Sequence, residues 1–190
     1  MAGRKLGAVI LVGGASARMG ENKAAQDWGG RRGVDIVADL ARAAGAGLVV
    51  TAGADLGLPF VIDPWPRAGP TAGVVAGAAF LQTRGYTHAL LLAVDAPTLT
   101  RADLAPLVEA RDPGAAYEGF PVPAVMALAA LPSEAAPAWP LRRLIERAGL
   151  ASLPAPEASS AHLKGANTVA EHAHLLGEFI ARDHGHGGRR

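Results

Sequence analysis

Two basic residues follow a loop of small residues near the amino terminus. The apolar run from Leu6 to Val12 is typical of a buried strand, and residues 13–16, Gly-Gly-Ala-Ser, come directly after it. Residues this small let a backbone loop approach a bulky anion without side-chain clashes, and their exposed N–H groups donate hydrogen bonds to it. Arg18 and Lys23 then supply positive charge for phosphate oxygens. The pattern predicts a phosphate-binding loop, the alternative being a solvated connection between a strand and a helix.

The spacing of this loop excludes the two commonest glycine-rich motifs. In a P-loop the lysine is followed by Ser or Thr, whereas Ala24 follows Lys23 here. No G-x-G-x-x-G motif opens a helix, so a dinucleotide-binding fingerprint is also absent.

A single acidic residue follows the most hydrophobic strand-like run, residues 88–94. In open α/β sheets, ligands bind beyond the carboxyl ends of the strands, where Asp95 is expected to lie. Mg²⁺ prefers one or two carboxylates together with phosphate oxygens, so we predict that Asp95 binds Mg²⁺. An Asp at this place is also a good turn or helix-capping residue. Thr98 or Thr100 could cap the following helix instead.

Asp63 and the segment after it form a second candidate binding region. Asp63 ends the predicted strand 59–62, where it either contacts a ligand or simply begins an Asp-Pro turn. Residues 67–73, Arg-Ala-Gly-Pro-Thr-Ala-Gly, place a glycine loop before a helix. Unpaired N–H groups at such a helix start favour negative groups, although Pro70 is equally typical of an ordinary helix start.

Asn167 is a third candidate, within residues 165–171, Gly-Ala-Asn-Thr-Val-Ala-Glu. It either reaches the metal or the phosphates as a neutral ligand, or only precedes a capping box at the last helix. The six histidines show no spacing typical of a catalytic or metal site, and we predict that none is catalytic.

The elements that would position these residues alternate between strand and helix. This alternation predicts a three-layer α/β/α, Rossmann-like fold with a mostly parallel central sheet. The region 115–128 contains Pro121 and Pro123, so an antiparallel edge strand is expected there. Thr100-Arg-Ala-Asp103 predicts a capping box, and Pro140 predicts the start of a helix that ends near Ala148.

Composition narrows the function classes. The chain has 190 residues, which fits one domain over residues 1–183, followed by a flexible tail at 184–190. It contains no cysteine, which excludes disulfides and thiolate metal sites. The net charge of +1 favours neither nucleic acid nor a membrane surface as partner. No secretory or membrane-spanning segment precedes the first strand, so we expect a cytoplasmic protein.

The quoted motifs resemble those of one enzyme superfamily. Residues 11–23 resemble L-x-G-G-x-S-x-R-M-G-x-x-K, the signature of sugar-nucleotide-type nucleotidyltransferases. Residues 67–73 resemble P-G-P-L-A-G with Thr71 in place of Leu, and Val94–Pro97 resembles a D-x-P metal motif. Residues 165–171 are similar to N-x-N-T-P-E-D. The nearest match is the molybdenum cofactor guanylyltransferase family.

This resemblance implies transfer of GMP from GTP to the terminal phosphate of molybdenum-molybdopterin, with release of pyrophosphate. It implies Mg²⁺ as cofactor, Arg18, Lys23 and Asp95 as catalytic residues, and Asp95 and Asn167 as metal ligands. Contact with molybdoenzymes or cofactor-insertion proteins is expected. The residues expected to bind the nucleotide are Leu11, Val12, Gly13, Gly14, Ala15, Ser16, Lys23, Thr51, Asp63, Gly69, Gly73 and Asp95.

Several positions depart from the family pattern. Thr51 stands where an Asn is common, residues 29–34 read Gly-Gly-Arg-Arg-Gly-Val in place of G-G-x-P-L-L, and the carboxyl-terminal motif has Gly165 and Val169. By resemblance, the pair Gly13-Gly14 implies GTP over CTP, since guanylyltransferases tend to have Gly-Gly where the cytidylyl relatives have Ala-Gly. A cytidylyltransferase, a sugar-1-phosphate nucleotidyltransferase and a non-catalytic nucleotide-binding homologue stay open as alternatives.

Overall fold

The computed structural model describes residues 3–12, 27–62, 69–156, 160–163, 173–177 and 179–181. In this part of the chain a seven-stranded sheet is flanked by helices. The strands are β1 (Leu6–Leu11), β2 (Val49–Ala52), β3 (Phe60–Val61), β4 (His88–Ala93), β5 (Gly114–Tyr117), β6 (Phe120–Ala127) and β7 (Ala151–Leu153). The helices are α1 (Gly33–Ala43), α2 (Pro70–Thr83), α3 (Arg101–Glu109), α4 (Leu141–Arg147) and α5 (Ser160–Leu163), and residues 173–177 and 179–181 are also helical.

The sheet is mostly parallel and has the order β3-β2-β1-β4-β6-β5-β7. Strands β1 to β4 run parallel to one another, β6 runs antiparallel to both β4 and β5, and β7 is parallel to β5. The predicted Rossmann-like architecture is confirmed. The central place predicted for the strand at 88–94 is also confirmed, since β4 is the fourth of the seven strands.

One detail of the predicted sheet is wrong. The antiparallel strand, β6, lies inside the sheet between β4 and β5 and not at its edge. Proline cannot donate a ladder hydrogen bond, which is why Pro121 and Pro123 predicted an edge. Pairing of β6 with β4 begins only at Ala124, beyond both prolines, and the register with β5 shifts between Ala116 and Tyr117. An interior strand therefore tolerates the two prolines at its start.

Both faces of the central strands are buried. Ile10 and Leu92 belong to a core cluster on the α1 and α3 side, whereas Val9 and Leu91 belong to a cluster that includes side chains of α2 and α4. Neighbouring residues of a strand point to opposite faces, so a continuous apolar run is needed where helices cover both. Full burial of each such side chain contributes about 1.5–3 kcal/mol. The core thus holds the carboxyl ends of β1 and β4 in fixed positions.

Local signals placed most helices correctly. The predicted capping box is present: Thr100 Oγ1 accepts a hydrogen bond from Asp103 N at 3.3 Å, and Asp103 Oδ2 accepts one from Thr100 N at 2.7 Å. Pro140 immediately precedes α4, as expected. The second predicted capping box (168–171) and the predicted tail (184–190) lie outside the described residues. Among the described helices, none is both long and apolar enough to cross a bilayer.

Candidate functional site

The strand order creates a crevice between β1 and β4. The chain leaves β1 through α1 to reach β2 on one side, and later crosses through α2 to reach β4 on the other side. Such a reversal of strand order is where ligands bind in open α/β sheets. Leu11 pairs with Ala93, and Val94 N donates a hydrogen bond to the Leu11 carbonyl oxygen at 3.2 Å. Val12, the last described residue before the predicted phosphate loop, follows Leu11, and Asp95 lies two residues after Ala93, so Val12 and Asp95 both follow strands that end at the crevice.

Asp95 occupies the turn that follows β4 and is half-buried. Thr100, not Asp95, caps α3, so the helix-capping role considered for Asp95 is filled by another residue. The turn is anchored by buried neighbours, since Pro97 and Leu99 are both buried. Asp95 is therefore held at the edge of the sheet by a rigid segment without serving as a helix cap.

Gly53 contacts Val12, the last described residue before the predicted phosphate loop, and sequence analysis missed it. Its φ is +115°, and a Cβ atom at Gly53 would lie 2.1 Å from the Val12 carbonyl oxygen. Val12 N donates to the Ala52 carbonyl oxygen at 2.9 Å, and Gly53 N donates to the Val61 carbonyl oxygen at 3.1 Å. The residue that follows β2 therefore packs directly against the backbone that follows β1. A glycine directly after a predicted strand was the available signal.

Trp28 is a second residue that sequence analysis missed. It lies in a tight hairpin that follows the predicted loop and is closed by the bridge between Asp27 and Arg32. The Trp28 side chain is 1% exposed, and its Nε1 lies 3.3 Å from the position of a Cβ atom at Gly33. That same position is 3.5 Å from the Val94 carbonyl oxygen. The first turn of α1 therefore begins beside Val94, the residue that precedes Asp95.

The carboxyl-terminal helical residues cover this tryptophan. Leu175 is buried in a cluster with Trp28 and Ile36, and the ring of Phe179 meets the ring of Trp28 edge-to-face at 6.2 Å. An aromatic pair of this kind contributes about 0.5–1.5 kcal/mol beyond its buried area. Trp28 and Phe179, which are 151 residues apart in the sequence, thus meet just after the predicted phosphate loop.

The first turn of α2 approaches the same edge of the sheet. Gly69 precedes α2 with a φ of +96°, and Pro70 opens the helix. A Cβ atom at Gly73 would lie 3.2 Å from side-chain atoms of both Leu11 and Ala52. The absence of a side chain at Gly73 lets the start of α2 pack closely on the carboxyl ends of β1 and β2.

Thr51 has a structural role in the interior of the protein. Its side chain is fully buried, and its hydroxyl donates to the Ala54 carbonyl oxygen at 2.9 Å. Thr51 therefore shapes the connection between β2 and β3. In the changed 29–34 segment, Arg32 binds both carboxylate oxygens of Asp35 at 2.7 Å and donates to the Leu56 carbonyl oxygen at 3.2 Å. The Arg32 guanidinium lowers the pKa of Asp35, and it ties α1 to the same connection.

The structure brings together five of the residues predicted to bind the nucleotide or the metal: Leu11, Val12, Gly69, Gly73 and Asp95. The other predicted residues, apart from Thr51, lie outside the described part of the chain: Gly13, Gly14, Ala15, Ser16, Arg18, Lys23, Asp63 and Asn167.

The acidic residues fit a metal ion that takes few ligands from the protein. Within the described residues, no three His, Cys, Asp or Glu side chains group closely enough to enclose a metal. Mg²⁺ in nucleotide sites is commonly held by one or two carboxylates and completed by phosphate oxygens and water. Asp95 at the crevice is a donor suited to that arrangement.

A buried polar network supports the segment that carries Asp95. The Tyr117 hydroxyl donates to the Asp103 carbonyl oxygen at 2.6 Å, and His162 Nδ1 lies 3.3 Å from Asp103 Oδ2. Burial raises the pKa of Tyr117, and the negative charge of Asp103 adds to this effect. His88, at the other edge of the sheet, lies 2.8 Å from Asp112 and lowers the pKa of that carboxyl by hydrogen bonding. His88 and His162 thus each contact a carboxylate, and these contacts give both histidines a structural role.

We expect the free energy of unfolding to fall less between pH 8 and 11 in Tyr117→Phe than in the wild type. The pKa of Tyr117 is raised in the folded chain, so the unfolded chain loses this proton first, near pH 10. The contribution of the group is therefore complete below about pH 10 and declines as the pH rises through the folded pKa. The variant should also lose about 1 kcal/mol at neutral pH with the lost hydrogen bond. Urea unfolding at pH 8 to 11 measures both effects, with Tyr86→Phe as control. An unchanged alkaline decline in Tyr117→Phe would contradict this prediction.

Comparison with known proteins identifies the family. Residues 8–172 match the model of the MobA-like NTP transferase domain. The chain is 37% identical over 103 residues to the molybdenum cofactor guanylyltransferase of Xanthomonas euvesicatoria pv. vesicatoria (strain 85-10), covering 53% of the chain and 52% of the relative. It is 36% identical over 104 residues to the protein of that name in Rhizobium meliloti (strain 1021), covering 50% and 48%. The chain thus spans about half the length of these curated relatives.

The fold comparison agrees with this match. A nucleotidyl transferase from Methanothermobacter thermautotroptrophicus superposes with a TM-score of 0.68 at 16% identity, over 95% of this chain and 100% of the other. At this identity the likeness supports the nucleotidyltransferase fold, while the family model covers most of the chain. The resemblance found in the sequence is confirmed, and the chain belongs to the family of MobA-like NTP transferase domains.

Proposed function

We propose that this chain transfers GMP from GTP to the terminal phosphate of molybdenum-molybdopterin and releases pyrophosphate. The observation that carries the proposal is the pairing of Leu11 with Ala93, because the strand that precedes the signature motif then ends beside the strand that precedes Asp95. The names of the two curated relatives support guanylyl transfer to a molybdenum cofactor. We further propose that a molybdoenzyme or a cofactor-insertion protein receives the product in the cytoplasm.

The proposed reaction needs positioning and charge neutralisation more than covalent help from the protein. An oxygen of the acceptor phosphate forms a bond to the α-phosphorus of GTP, and the bond from that phosphorus to the β-phosphate breaks with its electrons leaving on pyrophosphate. Backbone N–H groups of residues 13–16 and Arg18 would hold the β- and γ-phosphates. Lys23 would neutralise charge at the α-phosphate and the leaving group. The acceptor phosphate is already ionised at neutral pH, so no general base is required.

Asp95 is the residue that would hold a divalent cation, with Asn167 as a second ligand by resemblance. Mg²⁺ is the ion that the chemistry favours, since it binds carboxylate and phosphate oxygens together. Such an ion would supply charge neutralisation between neighbouring phosphates. Asp95 follows β4 at the carboxyl edge of the sheet and is only half-buried, which is compatible with coordination completed by phosphate oxygens.

The proposed function is tested by measuring pyrophosphate release from each of the four nucleoside triphosphates, with molybdopterin from a molybdoenzyme as acceptor. We expect release from GTP that depends on both acceptor and Mg²⁺. Release from CTP alone would instead indicate a cytidylyltransferase, and release only with a sugar 1-phosphate would indicate a sugar nucleotidyltransferase. GTP binding without release under any condition would indicate a non-catalytic homologue.

We expect Lys23→Ala to lower the turnover number by about 100-fold, which corresponds to about 2.7 kcal/mol of transition-state stabilisation. The cation acts on charge that grows during the reaction, so turnover should fall more than GTP affinity. Steady-state pyrophosphate release and GTP titration separate the two effects. Lys5→Ala is the matched control, because Lys5 is exposed at the amino end of β1, away from the crevice. Wild-type turnover in Lys23→Ala would remove Lys23 from the mechanism.

A further inference from the structure

Thr71, the residue that departs from the family motif in the first turn of α2, has a defined partner. Its side chain is fully buried, and its hydroxyl donates to the Trp139 carbonyl oxygen at 2.7 Å. A buried hydroxyl without a partner is costly, so this hydrogen bond makes Thr71 acceptable where the family has an apolar residue. The bond fixes the residues before α4 against the start of α2.

Trp139 in turn holds a positive charge in place. The guanidinium of Arg143 lies over the Trp139 ring, 4.3 Å from its centroid, and the ring packs against the core cluster that includes Leu141. Arg143 itself is exposed. Within the described part of the chain no carboxylate forms an ion pair with Arg143, whereas Arg32 and Arg147 each pair with an acid. A guanidinium that is stacked and not neutralised is prepared to bind an anion, because stacking already restricts its motion.

The fold places Trp139 at the edge of the sheet where Asp95 lies. Strand β6 runs antiparallel to β4 and ends at the amino edge, where Ala127 pairs with His88. The chain then returns to the start of α2, which Thr71 marks, before α4 packs against α2 and β6. The start of α2 adjoins the carboxyl ends of β1 and β2. The Trp139 carbonyl therefore lies beside the first turn of α2, and the Trp139 ring packs on the α2 and α4 face of the sheet, opposite to the face that α1 covers.

We propose that Arg143 binds the acceptor through its guanidinium, which would contact the acceptor phosphate. Trp139 is a positioning residue, because its ring holds the Arg143 guanidinium in place. This inference rests on the proposed function. Two polyanions must meet for the transfer, and Arg18 and Lys23 serve the triphosphate, so the acceptor needs a cation of its own. Arg143 supplies it from the face of the sheet that α2 and α4 cover. Thr71 connects this binding element to α2, and so to the edge of the sheet that carries Asp95.

The test compares Arg143→Ala with Arg142→Ala, its exposed neighbour on α4. With GTP saturating and molybdopterin varied, Arg143→Ala should raise the KM for the acceptor by about 10- to 100-fold, the loss of a charge-assisted hydrogen bond. GTP affinity, measured by calorimetry without acceptor, should stay within about twofold of the wild type. Arg143→Lys should recover part of the loss, since it keeps the charge and loses the planar stacking. Arg142→Ala should match the wild type in both measurements.

Thr71→Val provides a second arm, because it removes the hydroxyl and keeps the volume. Like Arg143→Ala, Thr71→Val should raise the KM for the acceptor. Thermal unfolding of the variant shows whether the protein stays folded. An acceptor KM in Arg143→Ala equal to that of the wild type would overturn this inference alone. An equal loss of GTP affinity would also overturn it, because the pair would then belong to the nucleotide site. A wild-type protein that transfers GMP to no molybdopterin acceptor would overturn the proposed function and this inference together.

Discussion

Asp95→Asn should lower the turnover number by about 1,000-fold, or about 4 kcal/mol, without unfolding the protein. Asparagine keeps the shape of the side chain and removes the charge that would hold a divalent cation. Because Thr100 caps α3, loss of the Asp95 carboxylate leaves that cap intact. Pyrophosphate release across a Mg²⁺ titration gives the turnover number and the apparent metal affinity, and we expect both to fall.

Asp112→Asn is the matched control for this prediction. It makes the same substitution at the opposite edge of the sheet, where Asp112 contacts His88 at the start of β4. Its activity should be that of the wild type. If Asp95→Asn kept wild-type turnover at every Mg²⁺ concentration, Asp95 would have no metal role. If the variant unfolded at a much lower temperature, the carboxylate would instead be structural.

Gly53→Ala should destabilise the protein by at least about 3 kcal/mol and abolish most of its activity. The new Cβ atom would lie 2.1 Å from the Val12 carbonyl oxygen, a distance that real Cβ atoms do not adopt, and φ at this position is +115°. Either β1 or β2 must then move at its carboxyl end, and β1 leads into the predicted phosphate loop. Urea unfolding measures the loss of stability, and GTP titration measures the displacement of the loop.

Gly57→Ala separates the two causes of this effect. Gly57 lies in the same connection with a φ of +84°, but no atom lies within 4 Å of its Cβ position. Its substitution carries only the backbone penalty of about 1 kcal/mol and should leave GTP affinity unchanged. Equal losses of stability in the two variants would show that the contact with Val12 contributes nothing.

Local sequence patterns predicted most of the described elements and the position of Asp95. The apolar runs that became β1 and β4 fit strands covered on both faces, and the capping box at Thr100 operates within four residues of the chain. These features depend on neighbours in the sequence, so a periodic pattern or a short motif reveals them. The end of the predicted strand 88–94 was enough to place Asp95 at the carboxyl edge, where the crevice forms.

Contacts between distant segments were decided by the tertiary structure alone. Gly53 against Val12, Trp28 beneath Phe179, and Thr71 bound to Trp139 each join elements far apart in the chain, and no local pattern encodes such a pairing. The interior place of β6 has the same origin, because Pro121 and Pro123 weigh against an interior strand until the register with β4 is known. The sequence by itself therefore predicted which residues would bind phosphate. Contacts between segments distant in the sequence decided how the described elements pack at the carboxyl edge of the sheet.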